Sequence, residues 1–216
     1  MSTPRTVDTL FPVAGRQHEE FDAGQFIFVE GDAGDRLYVV VEGKVRQGQR
    51  ASDGRECLFD VVGPDEIFGE TSAIESLPRT TFACALTDVV AWSITRRKLM
   101  VHVVAEPALA DFLLELLARR IRHSSMNVTD VIGSDVSVRV ARQLLRLAQQ
   151  FGVEHDGLTW MPLDLTQQQL AHMVGAARES VNKTLGSFAQ RGWITSAHDG
   201  VVIREPEILS RHAREK

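Results

Sequence analysis

The stretch Leu165–Ile194 reads LTQQQLAHMVGAARESVNKTLGSFAQRGWI, and its punctuation sets the fold of the last third of the chain. Thr166 followed three residues later by Gln169 is a capping box that starts a helix. Leu170, Met173 and Val174 give that helix one apolar face, Gly175 permits a sharp turn, and a second helix runs to a stop at Gly192. Two short helices joined by so tight a turn form a helix-turn-helix. In the second helix Val181, Leu185 and Phe188 recur at spacings of four and three and point inward. Arg178, Glu179, Asn182 and Lys183 are left on the opposite side, near the N-terminal end. The segment that follows, WITSAHDGVVI, reads as a hairpin with an Asp199-Gly200 turn, the wing of a winged helix-turn-helix.

Upstream, two further helices lead into this unit. After Pro107 the run ALADFLLELLARRIRHSSMNVTDVI contains no Gly or Pro. Leu114, Leu117, Ile121, Ser124, Val128 and Val131 follow one another at alternating steps of three and four, a heptad seam that asks for a partner helix. Leu109, Phe112, Leu113 and Leu116 supply a separate apolar face for packing on the chain's own body. Gly133-Ser134-Asp135 breaks the helix, with Ser134 or Asp135 expected to cap the next one, VSVRVARQLLRLAQQF, which stops at Gly152.

From Gln25 to Ile94 the pattern is that of strands. QFIFVE, RLYVVVEGKV, CLFDVV, TFACAL and VVAWSI are separated by Glu30-Gly31-Asp32, Glu42-Gly43, Ser52-Asp53-Gly54 and Gly63-Pro64. An antiparallel sandwich or barrel is expected there. Composition is that of a globular protein, with a net charge of −5. Residues 1–132 carry 14 Lys/Arg against 20 Asp/Glu, and residues 133–216 carry 10 against 9. A DNA contact must therefore come from a local cluster in the rear part. Cys57 and Cys84 have no metal-ligand or CxxC spacing and read as reduced core thiols. No apolar run is long enough to span a membrane, so the expected compartment is the cytoplasm. No nucleophile-base pair or metal triad at a recognisable spacing suggests an enzyme.

One loop remains. In FGETSAIESLPRTTF, Phe68–Phe82, an acceptor (Glu70), a forked cation (Arg79) and the hydroxyls of Thr71, Ser72, Thr80 and Thr81 crowd around Gly69. That is one acceptor, one permanent forked cation and several hydroxyl donors within a single loop.

The order of elements, together with FGE…PRTT, ARRIRHSS and GAARESVNKTL, resembles the cyclic-AMP receptor protein (CRP/FNR) family of bacterial transcription regulators over nearly the whole chain. The resemblance implies an α+β chain with three parts. These are a cyclic-nucleotide-binding β-roll (jelly-roll) at 1–107, a long dimerisation helix at 108–132 and a winged helix-turn-helix DNA-binding domain at 133–216. It implies a ligand site of Gly69, Glu70, Thr71, Ser72, Arg79, Thr80 and Thr81, completed by Ser124 and Ser125 reaching the base from the two helices of a homodimer. The implied ligand is cAMP, with cGMP open because Thr80 can accept from the guanine 2-amino group, and no metal is implied. DNA contacts fall on Thr166, Gln167, Ala177, Arg178, Glu179, Ser180, Asn182 and Lys183, reading an inverted repeat of TGTGA-like half-sites. RNA polymerase is the further partner that the family implies. A same-fold regulator that binds DNA without any nucleotide is the alternative.

Overall fold

In the computed structural model, residues 7–11, 13, 15–197 and 200–215 are described, the side chains of 8 and 9 excepted. The Asp199 half of the expected hairpin turn lies outside them. Tertiary contacts divide the chain into two compact units, 1–122 and 123–216.

The first unit opens with a short helix α1 (Val7–Leu10) and strand β1 (Gln17–Phe21). Seven more strands follow: β2 (Phe26–Phe28), β3 (Arg36–Glu42), β4 (Val45–Arg50), β5 (Glu56–Val62), β6 (Ile67–Phe68), then, after helix α2 (Glu70–Glu75), β7 (Phe82–Ala85) and β8 (Val89–Thr95). Helix α3 (Arg96–Ala105) and the first part of α4 (Pro107–Gly133) complete it. The strands form two antiparallel sheets, β1-β8-β3-β6 and β2-β7-β4-β5. The expected sandwich is therefore present, with β1, β6 and α3 added. β6 has two residues, too few to show a period, and α3 follows β8 without a turn residue between them.

The apolar run LYVVV of β3 has a specific cause. Tyr38 and Val40 pack with Phe28, Val45, Phe68, Ala83 and Ala91 in a core lined by both sheets. Leu37 and Val39 point the other way and meet Trp92, Ile94, Leu99, Leu109 and Leu113. One sheet is thus buried on both faces, by the other sheet and by helices, so β3 runs apolar and buried from Leu37 to Val40 rather than alternating. Leu109 and Leu113 of α4 are buried in that second cluster, with Phe112 and Leu116 packed against it, as the separate apolar face of the helix predicts.

Cys84 is buried and Cys57 is exposed, which corrects the expectation of two core thiols. Cys57 lies on β5 next to the buried Leu58, and successive residues of a strand point to opposite faces. Burial, the largest influence, raises the pKa of the Cys84 thiol. Because the thiolate is the reactive form, a maleimide is expected to label Cys57 in the native protein and Cys84 only after unfolding. Peptide mass spectrometry distinguishes the two sites; equal labelling of both in the folded protein would contradict it.

The second unit contains the end of α4, helix α5 (Val136–Phe151), strands β9 (Val153–His155) and β10 (Leu158–Pro162), helices α6 (Gln167–Val174) and α7 (Arg178–Gln190), strands β11 (Ile194–Ser196) and β12 (Gly200–Ile203), and helix α8 (Pro206–His212). Val140, Ala141, Leu144, Leu147 and Ala148 of α5 are buried. Its start departs from expectation: Asp135 holds the N-cap position, but its side chain makes no cap hydrogen bond. The Ser134 hydroxyl accepts instead from Arg142 Nη1 at 3.0 Å, a charge-assisted bond stronger than a neutral cap. The wing is one edge of a four-stranded antiparallel sheet, β11-β12-β10-β9, rather than an isolated hairpin.

Candidate functional site

The loop between β6 and β7 is built around a glycine. Gly69 adopts φ 73°, in the left-handed region, as the N-cap of α2. A Cβ at this position would stand 2.7 Å from Arg79 Nη1, so both the backbone conformation and the approach of the guanidinium require glycine. Arg79 is 3% exposed. Its Nη1 donates to the Gly69 carbonyl and its Nη2 to the Arg36 carbonyl, each at 2.6 Å. The guanidinium lies 4.1 Å from the centroid of the Phe28 ring, a cation–π contact. The Arg79 amide and carbonyl are also fixed, to Asp32 O and Gly31 N. Burial pulls the Arg79 pKa below the ordinary arginine value, while Tyr38, Asp35, Glu70 and Asp32 oppose that shift. Its Nε has no hydrogen-bond partner among the described residues.

Glu70, the first residue of α2, is 0% exposed. Its Oε1 accepts from Arg120 Nη1 at 2.6 Å and from the Thr71 hydroxyl at 3.0 Å, and its Oε2 has no partner among the described residues. Arg120 Nη2 also donates to the Ile67 carbonyl, so one guanidinium on α4 holds both the carboxylate and the strand before it. Ser72 is buried and its hydroxyl donates to Pro78 O at 3.4 Å. Thr71 and Thr80 are exposed and Thr81 is half-buried. Gln49 Nε2 donates to Thr80 O at 3.0 Å. The first unit thus brings Gly69, Glu70 and Arg79 together. Ser124 and Ser125 belong to the second unit, where both are exposed on α4.

In the second unit the capping box is complete: Gln169 N donates to Thr166 Oγ1 at 3.2 Å and Thr166 N to Gln169 Oε1 at 2.8 Å. Leu170, Ala171 and Val174 are buried, and Gly175 closes α6 at φ 61°. Val181 and Phe188 of α7 are buried and Leu185 is half-buried. Thr166, Gln167, Ala177, Arg178, Glu179, Ser180 and Lys183 are all exposed. Asn182 departs from the expected outward face. It is half-buried and its Oδ1 is buried without a partner among the described residues. Adjacent to Val181 in a helix that turns 100° per residue, it falls on the border of the buried stripe. Arg139 of α5 braces the turn: Nε donates to Val174 O at 2.8 Å, Nη2 to Gly175 O at 3.2 Å and Nη1 to Ser134 O at 2.6 Å. A cation is well placed on the open carbonyls at the C-terminus of α6.

Residues 18–101 match the model of the cyclic nucleotide-binding domain, and residues 138–212 match the Crp-like helix-turn-helix domain. A CRP-like cAMP-activated global transcriptional regulator of Mycobacterium tuberculosis is 46% identical over 92% of this chain and 88% of its own length. The chain belongs to the CRP/FNR family of transcription regulators. The Cyclic AMP receptor protein of Thermus thermophilus is 31% identical over 91% of this chain and 88% of its own. A crystal structure of a CRP/FNR family transcriptional regulator from the same organism superposes with a TM-score of 0.76, at 27% identity, covering 92% of this chain and 99% of that one.

Two arginines of this CRP/FNR chain escaped the sequence reading. Arg120 lies in ARRIRH among several arginines with nothing to single it out. The one available signal was its position four residues before Ser124, one turn away on the same helix face. Arg139 sits inside an amphipathic helix, where a basic residue reads as a solvated one. Among the described residues no helix is long and apolar enough to cross a membrane, and no group of three or more His, Cys, Asp or Glu could hold a metal ion.

Proposed function

We propose that this regulator binds cyclic AMP in its first unit and, as a homodimer, an inverted-repeat DNA site through its second. The observation that carries the ligand assignment is the pair of unsatisfied buried groups beside Gly69, Arg79 Nε and Glu70 Oε2. A buried cation and a buried carboxylate that each keep an open valence are costly by themselves. A cyclic nucleotide supplies what both lack: one anionic phosphodiester and one ribose hydroxyl. Arg79 would hold the phosphate, with Thr80, Thr81 and the amides and hydroxyls of Thr71 and Ser72 around it, and Glu70 would accept from the ribose. Arg120, bonded to Oε1, would keep the carboxylate aimed. The relative named as cAMP-activated supports cAMP as the ligand.

The dimer assignment rests on α4. Leu114, Ile121, Val128 and Val131 of the seam are exposed, Ile121 by 67%, and a heptad stripe of that kind is buried by a second copy of itself. Ser124 and Ser125 lie along it, so that the base of one nucleotide would be reached from both subunits. The exposed ends of α6 and α7 would then enter successive major grooves on one face of the duplex, with half-sites centred about 10 to 11 base pairs apart. Such a protein would act in the cytoplasm, alongside RNA polymerase.

A ligand shifts a conformational equilibrium only through unequal affinity for the two states. A nucleotide bridging both α4 helices provides that inequality. Fluorescence anisotropy with a duplex carrying TGTGA and its inverse TCACA is expected to show DNA affinity about 5- to 150-fold higher with saturating cAMP than without. Identical affinities would rule out gating by the nucleotide.

A further inference from the structure

On the face of β4 that looks into the sandwich, a polar side chain stands where an apolar one would pack. Val45 of that face belongs to the core lined by both sheets, and Gln47, two residues on, points the same way. Gln47 is 3% exposed, and its Oε1 has no hydrogen-bond partner among the described residues. An apolar side chain of the same size would carry no such penalty.

The strand register shows what Gln47 looks onto. It stands opposite Ala83 of β7 on one side and Asp60 of β5 on the other, and Ala83 stands opposite Phe28 of β2. Directly opposed residues share a face. Phe28, Ala83, Gln47 and Asp60 therefore form one row across the inner face of the sheet. Phe28 carries the Arg79 guanidinium on its ring. With neighbouring strands roughly 4.8 Å apart, Gln47 lies about 10 Å along that row from Phe28. That distance is comparable with the span of a purine nucleotide from its phosphate to the far edge of its base. Further along β4 on the same face, Gln49 holds the Thr80 carbonyl, the residue next to Arg79.

The first unit therefore contains three buried polar atoms of complementary kinds on the elements around this row: a donor on Arg79, an acceptor on Glu70 and an acceptor on Gln47. We infer that Gln47 is a specificity-determining residue that reads the base, its carboxamide oxygen accepting from the exocyclic amine of a 6-aminopurine. The inference rests on the cyclic-nucleotide reading of the site and narrows it. A glutamine carboxamide pairs with the amine and adjacent ring nitrogen of adenine, whereas the 6-oxo group of guanine would put two acceptors face to face.

The test is titration calorimetry on the full-length protein with cAMP, with cGMP and with purine riboside 3′,5′-cyclic monophosphate, in which hydrogen replaces the amine. The unmodified protein is expected to bind cAMP about tenfold more tightly than the deaminated analogue. Gln47→Leu is expected to bind the two alike, and Gln47→Met, which keeps an unbranched side chain of similar length, to do the same. Circular dichroism melts show that each variant is folded. Undiminished discrimination in both variants, or a preference of the unmodified protein for cGMP, overturns the role of Gln47 while leaving the nucleotide site standing. If the unmodified protein binds none of the three, the nucleotide reading itself fails, and the inference with it.

Discussion

Arg79→Ala is expected to abolish cAMP binding while the nucleotide-free protein still folds. The two halves of that result have separate causes. A phosphodiester brought into the buried site without its cation is an uncompensated charge, and removing one partner of such a pair costs about 3–5 kcal/mol. That corresponds to a factor of about 150 to several thousand in Kd. The empty site loses far less. Arg79 is already held at a desolvation cost that lowers its pKa, and the carbonyls it binds, of Gly69 and Arg36, are each left short of one hydrogen bond. Calorimetry should therefore show no heat of cAMP binding, and the thermal shift that a bound ligand imposes on the unmodified protein should vanish. Unchanged titration heats would remove Arg79 from the phosphate, whatever else occupies the site.

Arg178→Ala is expected to weaken binding to the preferred DNA sequence by about 1–3 kcal/mol and to flatten discrimination at one guanine of each half-site. Arg178 is the first residue of α7 and is exposed. An arginine at the N-terminal end of a helix docked in the major groove can grip guanine O6 and N7 with two bonds. Glu179, next to it, is expected to accept from a cytosine N4 on the opposite strand. Lys183 is exposed one turn later, and its expected contact is with phosphate. Lys183→Ala is accordingly expected to weaken all sequences alike and to make the salt dependence shallower. Binding to randomised duplexes, followed by measurement of Kd against salt, separates the two behaviours. Recovery of direct repeats, or an Arg178→Ala protein with unaltered base preference, would mean that other residues read the groove.

The parts of this protein legible in the sequence are those written in local signals. Thr166 and Gln169 cap each other across three residues, and they do so in the structure. Val181 and Phe188 repeat at a helical period, and both are buried. Gly69 and Gly175 stand where the backbone turns left-handed. Each of these depends on residues within one or two turns of one another, so chemistry and spacing suffice. The short strands β6 and β9 offered too few residues to display a period, and the exposure of Cys57 beside the buried Leu58 depended on which positions of β5 the packed unit covers.

The sequence by itself therefore determined the order of elements, the apolar faces and the residue types crowded into the loop from Gly69 to Thr81. Only the tertiary structure decided which partner each charge finds. Glu70 pairs with Arg120, fifty residues away. Arg139 braces the end of α6 rather than facing water. Gln47 is sealed inside a sandwich, its oxygen unanswered among the described residues. The physical reason is that hydrophobic burial is nondirectional and follows local patterning, whereas a hydrogen bond or ion pair needs two groups within about 3 Å. That proximity exists only once strands and helices far apart in the chain have packed together.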